Sequence, residues 1–157
     1  MADDLPARFI QALRERGLTV AVAESLTGGL VVADLVSIPG ASAVVRGGIV
    51  AYATDLKATL LGVDADVLAA GGPIQSLVAE QMAEGVRQKL GADVGLATTG
   101  VAGPDPQDGH PPGEVWIAVA LSAGVHSERV TLTGDRFAIR RQTVDRVLQL
   151  ALDLVSE

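Results

Sequence analysis

Three short segments of this 157-residue chain combine hydroxyl side chains with glycine. They are Glu24-Ser25-Leu26-Thr27-Gly28-Gly29, Tyr52 through Lys57, and Thr98-Thr99-Gly100-Val101-Ala102-Gly103-Pro104. Such residues suit attack on a carbonyl. A hydroxyl attacks, an amine or phenol moves its proton, and backbone N–H groups receive the developing oxyanion. Ser25 is the candidate nucleophile, with Lys57 or Tyr52 as its partner in a serine–lysine type of arrangement. For Lys57 to be a base at neutral pH, its pKa must fall roughly three units, at a cost of about 4 kcal/mol that burial or a neighbouring cation can supply. Thr27-Gly28-Gly29 opens a helix, where free N–H groups and the helix dipole suit a phosphate or an oxyanion. It matches neither the P-loop nor the dinucleotide fingerprint. Arg136, Arg140 and Arg141 either reach a phosphate or form a solvated face. Taken singly, each segment also reads as a tight turn, Lys57 as a solvated helix residue and Tyr52 as a half-buried core residue. Three such turns at one sheet edge favour a shared pocket.

Composition narrows the chemistry further. The chain has no Cys and two unclustered His, His110 and His126, which excludes thiolate catalysis and argues against a metal site. Both histidines are expected at the surface. The formal charge is −7 and aromatics are 3%, the wrong sign for phosphate neutralisation and too few rings for base stacking. No direct nucleic-acid partner is therefore expected. No apolar run approaches the roughly 18 residues a membrane helix needs, and Met1-Ala2-Asp3-Asp4 has no basic-then-apolar leader pattern. The expected location is cytoplasmic.

These turns need strands and helices to hold them. The pattern predicts a helix opened by Asp4 and closed by Gly17, then a buried strand over 18–23 and a helix over 30–38. A second strand is expected over 49–53, followed by short helices capped by Thr54 or Asp55 and by Asp64. Val78, Met82, Val86 and Leu90 recur every four residues in a helix from Ser76. A third strand covers 94–99, and residues 103–113, with four of the seven prolines, form a loop. Strands over 114–122 and 125–133 make an antiparallel hairpin candidate. Gly134-Asp135 starts the last helix, whose expected buried stripe is Phe137, Val144, Leu148, Ala151 and Leu154. The order implies one domain over 1–157, an α/β three-layer α/β/α sandwich with a mostly parallel mixed sheet and one antiparallel hairpin.

With these segments in hand, the chain resembles the C-terminal domain of the competence/damage-inducible protein CinA, a family whose active members are nicotinamide mononucleotide amidohydrolases. The likeness runs from about Leu5 to Leu154. It rests on Ala23-Glu24-Ser25-Leu26-Thr27-Gly28-Gly29, Gly47-Gly48-Ile49-Val50-Ala51-Tyr52 with Lys57, Thr99-Gly100-Val101-Ala102-Gly103-Pro104, and Gly134-Asp135-Arg136. It implies that Ser25 attacks the carboxamide carbon while Tyr52 and Lys57 handle its proton, releasing ammonia and then nicotinic acid mononucleotide. It also implies a substrate-binding set of Glu24, Thr27, Gly28, Gly29, Thr99, Gly100 and Arg136, and no metal or organic cofactor. The expected partner is a pyridine mononucleotide, and a homodimer is a further expectation for a small α/β enzyme. The chain departs from the family pattern at Thr54 (usually Asn), at Gln75 (usually Ser), and at Pro106-Gln107 (usually Gly-Gly). Two other readings fit the same residues: a non-catalytic mononucleotide- or partner-binding module, and an amidase for another small carboxamide.

Overall fold

A computed structural model describes residues 4–157, so most of the acidic opening Met1-Ala2-Asp3-Asp4 lies outside the described residues. The elements are α1 (Leu5–Arg16), β1 (Val20–Glu24), α2 (Leu30–Val36), a 3₁₀ turn (Ala41–Ala43), β2 (Val45–Val50), α3 (Thr54–Leu61) and α4 (Ala65–Gly71). They continue with α5 (Ser76–Lys89), β3 (Val94–Gly100), β4 (Glu114–Leu121), β5 (Gly124–Thr131) and α6 (Arg136–Val155). Side-chain caps start several of them. Asp4 accepts from the Ala7 N–H, and Asp135 accepts from the Ala138 N–H at 2.8 Å. Gly17 closes α1 in the left-handed conformation that glycine adopts without strain.

The strands form one sheet in the order β2-β1-β3-β4-β5. β1 pairs in parallel with β2 and β3, while β4 is antiparallel to both β3 and β5. Four strands therefore run one way, and β1, β2 and β3 all end at the same edge. That edge carries the three glycine and hydroxyl turns.

Period-2 alternation sorts the core into two unequal faces. Val20, Val22, Leu96, Ile117 and Val119 point to the side covered by α1, α2 and α6. Ala21, Ala23, Ala97, Ala118 and Ala120 point to the side covered by α5. Alanine lets α5 lie close. A Cβ added to Gly95 would sit 2.1 Å from the Ala83 carbonyl oxygen. Large residues on one face and small ones on the other fix which helix each face accepts.

Four expectations need correction. The second strand runs Val45–Val50, with Gly47 and Gly48 inside it, and at Gly48 the missing side chain makes room for α2, since a Cβ there would sit 2.4 Å from Val32 Cγ2. The helix over 30–38 ends at Val36. α3 is preceded by Ala53, which offers no side-chain cap, and Thr54 is already helical. Phe137 is not in the buried stripe of α6: it is 68% exposed, in the first turn of the helix. No helix among the described residues is long and apolar enough to cross a membrane.

Candidate active site

Ser25 is the first residue beyond β1, and its backbone N–H is tied to the Thr98 carbonyl on the neighbouring strand at 3.1 Å. Thr98 also bonds the Thr27 hydroxyl at 2.9 Å, so two strand ends jointly fix the turn that carries Ser25. Lys57 lies in the first turns of α3 and folds back toward the sheet. It is 1% exposed.

The Lys57 Nζ has three oxygen neighbours: Ser25 Oγ at 2.9 Å, the Ala51 carbonyl at 2.8 Å and the Tyr52 carbonyl at 3.2 Å. An ammonium donates to all three. A neutral amine has two protons and one lone pair. With its protons on the two carbonyls, the lone pair faces Ser25 Oγ. Burial lowers the Lys57 pKa from its ordinary 10.5 to about 8, by removing water from the charged form. Roughly a tenth of the amine is then neutral at pH 7, against less than one part in a thousand for a solvated lysine.

Above this pair lies a cavity of about 340 Å³, within the usual range for a small-molecule site. Ser25, Leu26 and Lys57 form its floor, Pro73 and Ile74 an apolar wall, Thr99–Gln107 a second wall, and Tyr52 and Arg136 its mouth. Thr99 is buried and donates its hydroxyl to the Pro73 carbonyl at 2.8 Å, joining the two walls. Gly100 is required by close approach: a Cβ there would fall 2.7 Å from the Glu114 carbonyl oxygen. Arg136 donates to the Gly103 carbonyl at 2.6 Å and to the Tyr52 hydroxyl at 3.1 Å. Within the described residues the Leu26 N–H has no hydrogen-bond partner.

The sequence-predicted residues thus separate into two groups. Ser25, Tyr52, Lys57, Thr99, Gly100 and Arg136 share the cavity. Glu24, Thr27, Gly28 and Gly29 do not line it. The Glu24 side chain is buried, and its two carboxylate oxygens accept the Val31 and Val32 N–H groups of α2 at 2.9 and 3.1 Å. That carboxylate occupies the helix terminus that an external anion would use. The Gly28 N–H is spent on the Ser25 carbonyl at 3.1 Å. Gly28 itself adopts φ +57° beneath Arg140, which donates to the Leu26 and Thr27 carbonyls at 2.9 and 3.2 Å. These four residues hold the turn that carries Ser25.

The three arginines separate too. Arg136 reaches the cavity, Arg140 clamps the turn, and Arg141 pairs with Asp34 at 2.7 Å. The Tyr52 ring is 60% exposed, and its hydroxyl bonds Arg136. The Gln75 side chain stays outside the cavity and braces the preceding turn through the Val67 and Gly72 carbonyls. His126 is exposed, whereas His110 is half-buried and bonds the Glu114 carboxylate. Residue-by-residue reading missed Pro73, Ile74, Asp105 and Gln107. Of these, only the proline density of 103–113 left a trace, as a loop rather than as a wall.

A model of the CinA C-terminal domain matches residues 2–155. A CinA-like protein of Frankia casuarinae is 51% identical over 148 residues, covering 94% of this chain and 34% of the relative. One of Gemmatimonas aurantiaca is 47% identical, covering 96% of the chain and 35% of the relative. The chain thus spans about a third of the length of these curated relatives. Among solved structures, a CinA superfamily protein of Klebsiella pneumoniae superposes with a TM-score of 0.94 at 31% identity, covering 97% of this chain and 96% of that one. The competence/damage inducible protein CihA of Agrobacterium tumefaciens gives 0.92 at 35%, covering 98% and 94%.

Proposed function

The chain belongs to the CinA C-terminal domain family, and we propose that residues 1–157 act as a single amidohydrolase domain on nicotinamide mononucleotide. The observation that carries this reading is the buried lysine whose Nζ lies 2.9 Å from a serine Oγ on the floor of an open cavity. Neutral Lys57 takes the Ser25 proton as Oγ bonds to the carboxamide carbon. The carbonyl oxygen becomes an oxyanion, and the free Leu26 N–H on the cavity floor is a donor for it. Collapse breaks the C–N bond. The leaving NH2 takes the proton from Lys57 and departs as ammonia, leaving an ester on Ser25. Water then attacks the ester with Lys57 again as base, and nicotinic acid mononucleotide leaves with the Ser25 hydroxyl restored. No residue in this sequence of steps requires a metal or an organic cofactor.

Arg136 at the mouth favours a phosphorylated substrate over a bare carboxamide, since a guanidinium binds phosphate with charge-assisted hydrogen bonds. The test is ammonia release from nicotinamide mononucleotide with a chelator present, beside the dephosphorylated nucleoside. Turnover of the nucleotide, weaker turnover of the nucleoside, and loss of both in Ser25→Ala are expected. Saturable binding of the nucleotide without any turnover would instead leave a binding module.

A further inference from the structure

The cavity holds three charged side chains that do not neutralise one another. Lys57 at the floor bonds only Ser25 Oγ and two backbone carbonyls. Arg136 at the mouth bonds a carbonyl and a phenol. Asp105 is the one acidic side chain in the lining, and within the described residues its carboxylate makes no hydrogen bond or ion pair. Elsewhere in the chain, arginines near carboxylates pair with them: Arg87 with Glu84, Arg129 with Glu114, and Arg141 with Asp34.

The backbone around Asp105 is held. Gly103, two residues earlier, has its carbonyl fixed by Arg136 at 2.6 Å. Asp105 itself lies between Pro104 and Pro106, and a residue before proline is confined to extended backbone. Little conformational freedom remains to be lost when this carboxylate meets a ligand. Pro73 and Ile74, in the same lining, are apolar and suit the face of a flat ring. A cation at the mouth and an anion on the wall, kept apart, complement a ligand with both signs of charge.

We propose that Asp105 recognises the positive ring of an oxidised pyridine nucleotide. The assignment rests on the amidohydrolase reading for its substrate class and deepens it. In nicotinamide mononucleotide the ring nitrogen is quaternary and positive, and the phosphate is negative. In the reduced, dihydropyridine form the carboxamide, ribose and phosphate remain and the ring is neutral. Arg136 meets the phosphate in both forms. Asp105 attracts only the oxidised one, and so makes the site selective for redox state as well as for phosphate.

The experiment compares the parent chain with Asp105→Asn, Asp105→Glu and Asp105→Ala. It measures KM and kcat for ammonia release from nicotinamide mononucleotide, and the inhibition constant of the reduced nucleotide as a competitor. Because Asp105 is solvent-accessible, the effect of its charge is modest, about three- to fivefold. Asp105→Asn is expected to raise the KM of the oxidised nucleotide by that factor with kcat unchanged, while the reduced competitor binds as before. Asp105→Glu should recover most of the loss. Equal weakening of both forms would mean that Asp105 only shapes the loop, and an unchanged ratio of the two constants would equally overturn the proposal. If the parent releases no ammonia, the amidohydrolase reading falls. Dissociation constants of the two nucleotides, by calorimetry, then decide the assignment of Asp105 by the same ratio.

Discussion

The floor and the mouth of the cavity are built differently. At the floor, Ser25 follows the buried strand β1 and Lys57 folds back to it from α3, and the Ser25 hydroxyl and the Lys57 amine bond to backbone or to each other. The mouth, Tyr52 and Arg136, is solvent-accessible and spans two loops through one phenol and one carbonyl. Rigidity at the floor holds the hydroxyl and the amine within proton-transfer distance before substrate arrives. On the proposed function, openness at the mouth leaves the phosphate and sugar of the nucleotide to be recognised by side chains that still contact water. Substitutions at the floor should therefore act on kcat, and those at the mouth on KM.

The largest expected effect is at the floor. Ser25→Ala removes the atom that forms the covalent bond in the proposed mechanism and should lower kcat about 10⁴-fold or more. Saturable nucleotide binding and the unfolding temperature should stay near those of the parent, because the backbone bonds that set this turn are made by Ser25 N–H and Thr98, not by the hydroxyl. A variant retaining parental turnover would dissolve the distinction between floor and mouth.

Lys57 gives the next test, through pH. Its pKa of about 8 predicts that kcat/KM rises with pH up to about 8 and then levels. The same shift has a stability consequence. Between pH 8 and 10.5 the unfolded chain holds the lysine proton more tightly than the folded one, so folding gains stability as pH rises across that window. The gain is about 3 kcal/mol relative to Lys57→Met, and it is absent below pH 8, where both states are protonated. Denaturant unfolding of the two proteins at pH 7, 9 and 10.5 measures it. Parallel stability curves would show that Lys57 is not buried in solution.

Much of this arrangement was legible in the sequence, and what escaped has a physical cause. Hydroxyl and glycine turns after three β-prone runs indicate one sheet edge, since parallel strands must end together. Ser25 and Lys57 follow from residue type, because a chain without cysteine and with few lysines has few groups suited to moving a serine proton. Glu24 stands outside the cavity lining, and adjacency to Ser25 in sequence does not say where its side chain turns. Alternation along β1 sends neighbours to opposite sides, and the free α2 terminus captures the carboxylate. Phe137 escapes the pattern because period 3.6 does not tell which turns of a helix are packed and which, like the first turn of α6, are exposed. Asp105, Pro73 and Ile74 come from segments far apart in the chain, and no local pattern records that they face one cavity.

At the mouth, Arg136→Ala removes a charge-assisted contact worth about 1.5–3 kcal/mol to a phosphate. The expected result is a rise of about 30-fold in the KM of the nucleotide with kcat within a few-fold of the parent. The dephosphorylated nucleoside should be affected far less. Arg136 also fixes the Gly103 carbonyl, so a small common loss on both substrates is expected from a looser wall, and Arg136→Lys separates charge from that bracing. An equal, large loss on both substrates would move Arg136 from recognition to structure.

Tyr52 belongs to both regions and gives the finest discrimination. Its carbonyl is part of the floor, accepting a hydrogen bond from Lys57 at 3.2 Å, while its ring stands at the mouth with the hydroxyl accepting from Arg136 at 3.1 Å. Tyr52→Phe leaves the carbonyl and removes only the hydroxyl. If proton transfer belongs to Lys57, the loss is one solvent-accessible hydrogen bond to a guanidinium that keeps its shorter bond to Gly103, and the expected change is about twofold, in KM. If the phenol takes the serine proton, the same substitution costs kcat by orders of magnitude and shifts the pH profile away from a value near 8. One substitution thus separates amine from phenol as the base. The twofold outcome is expected, because the Ser25 Oγ bond runs to Nζ and the phenol is turned to Arg136.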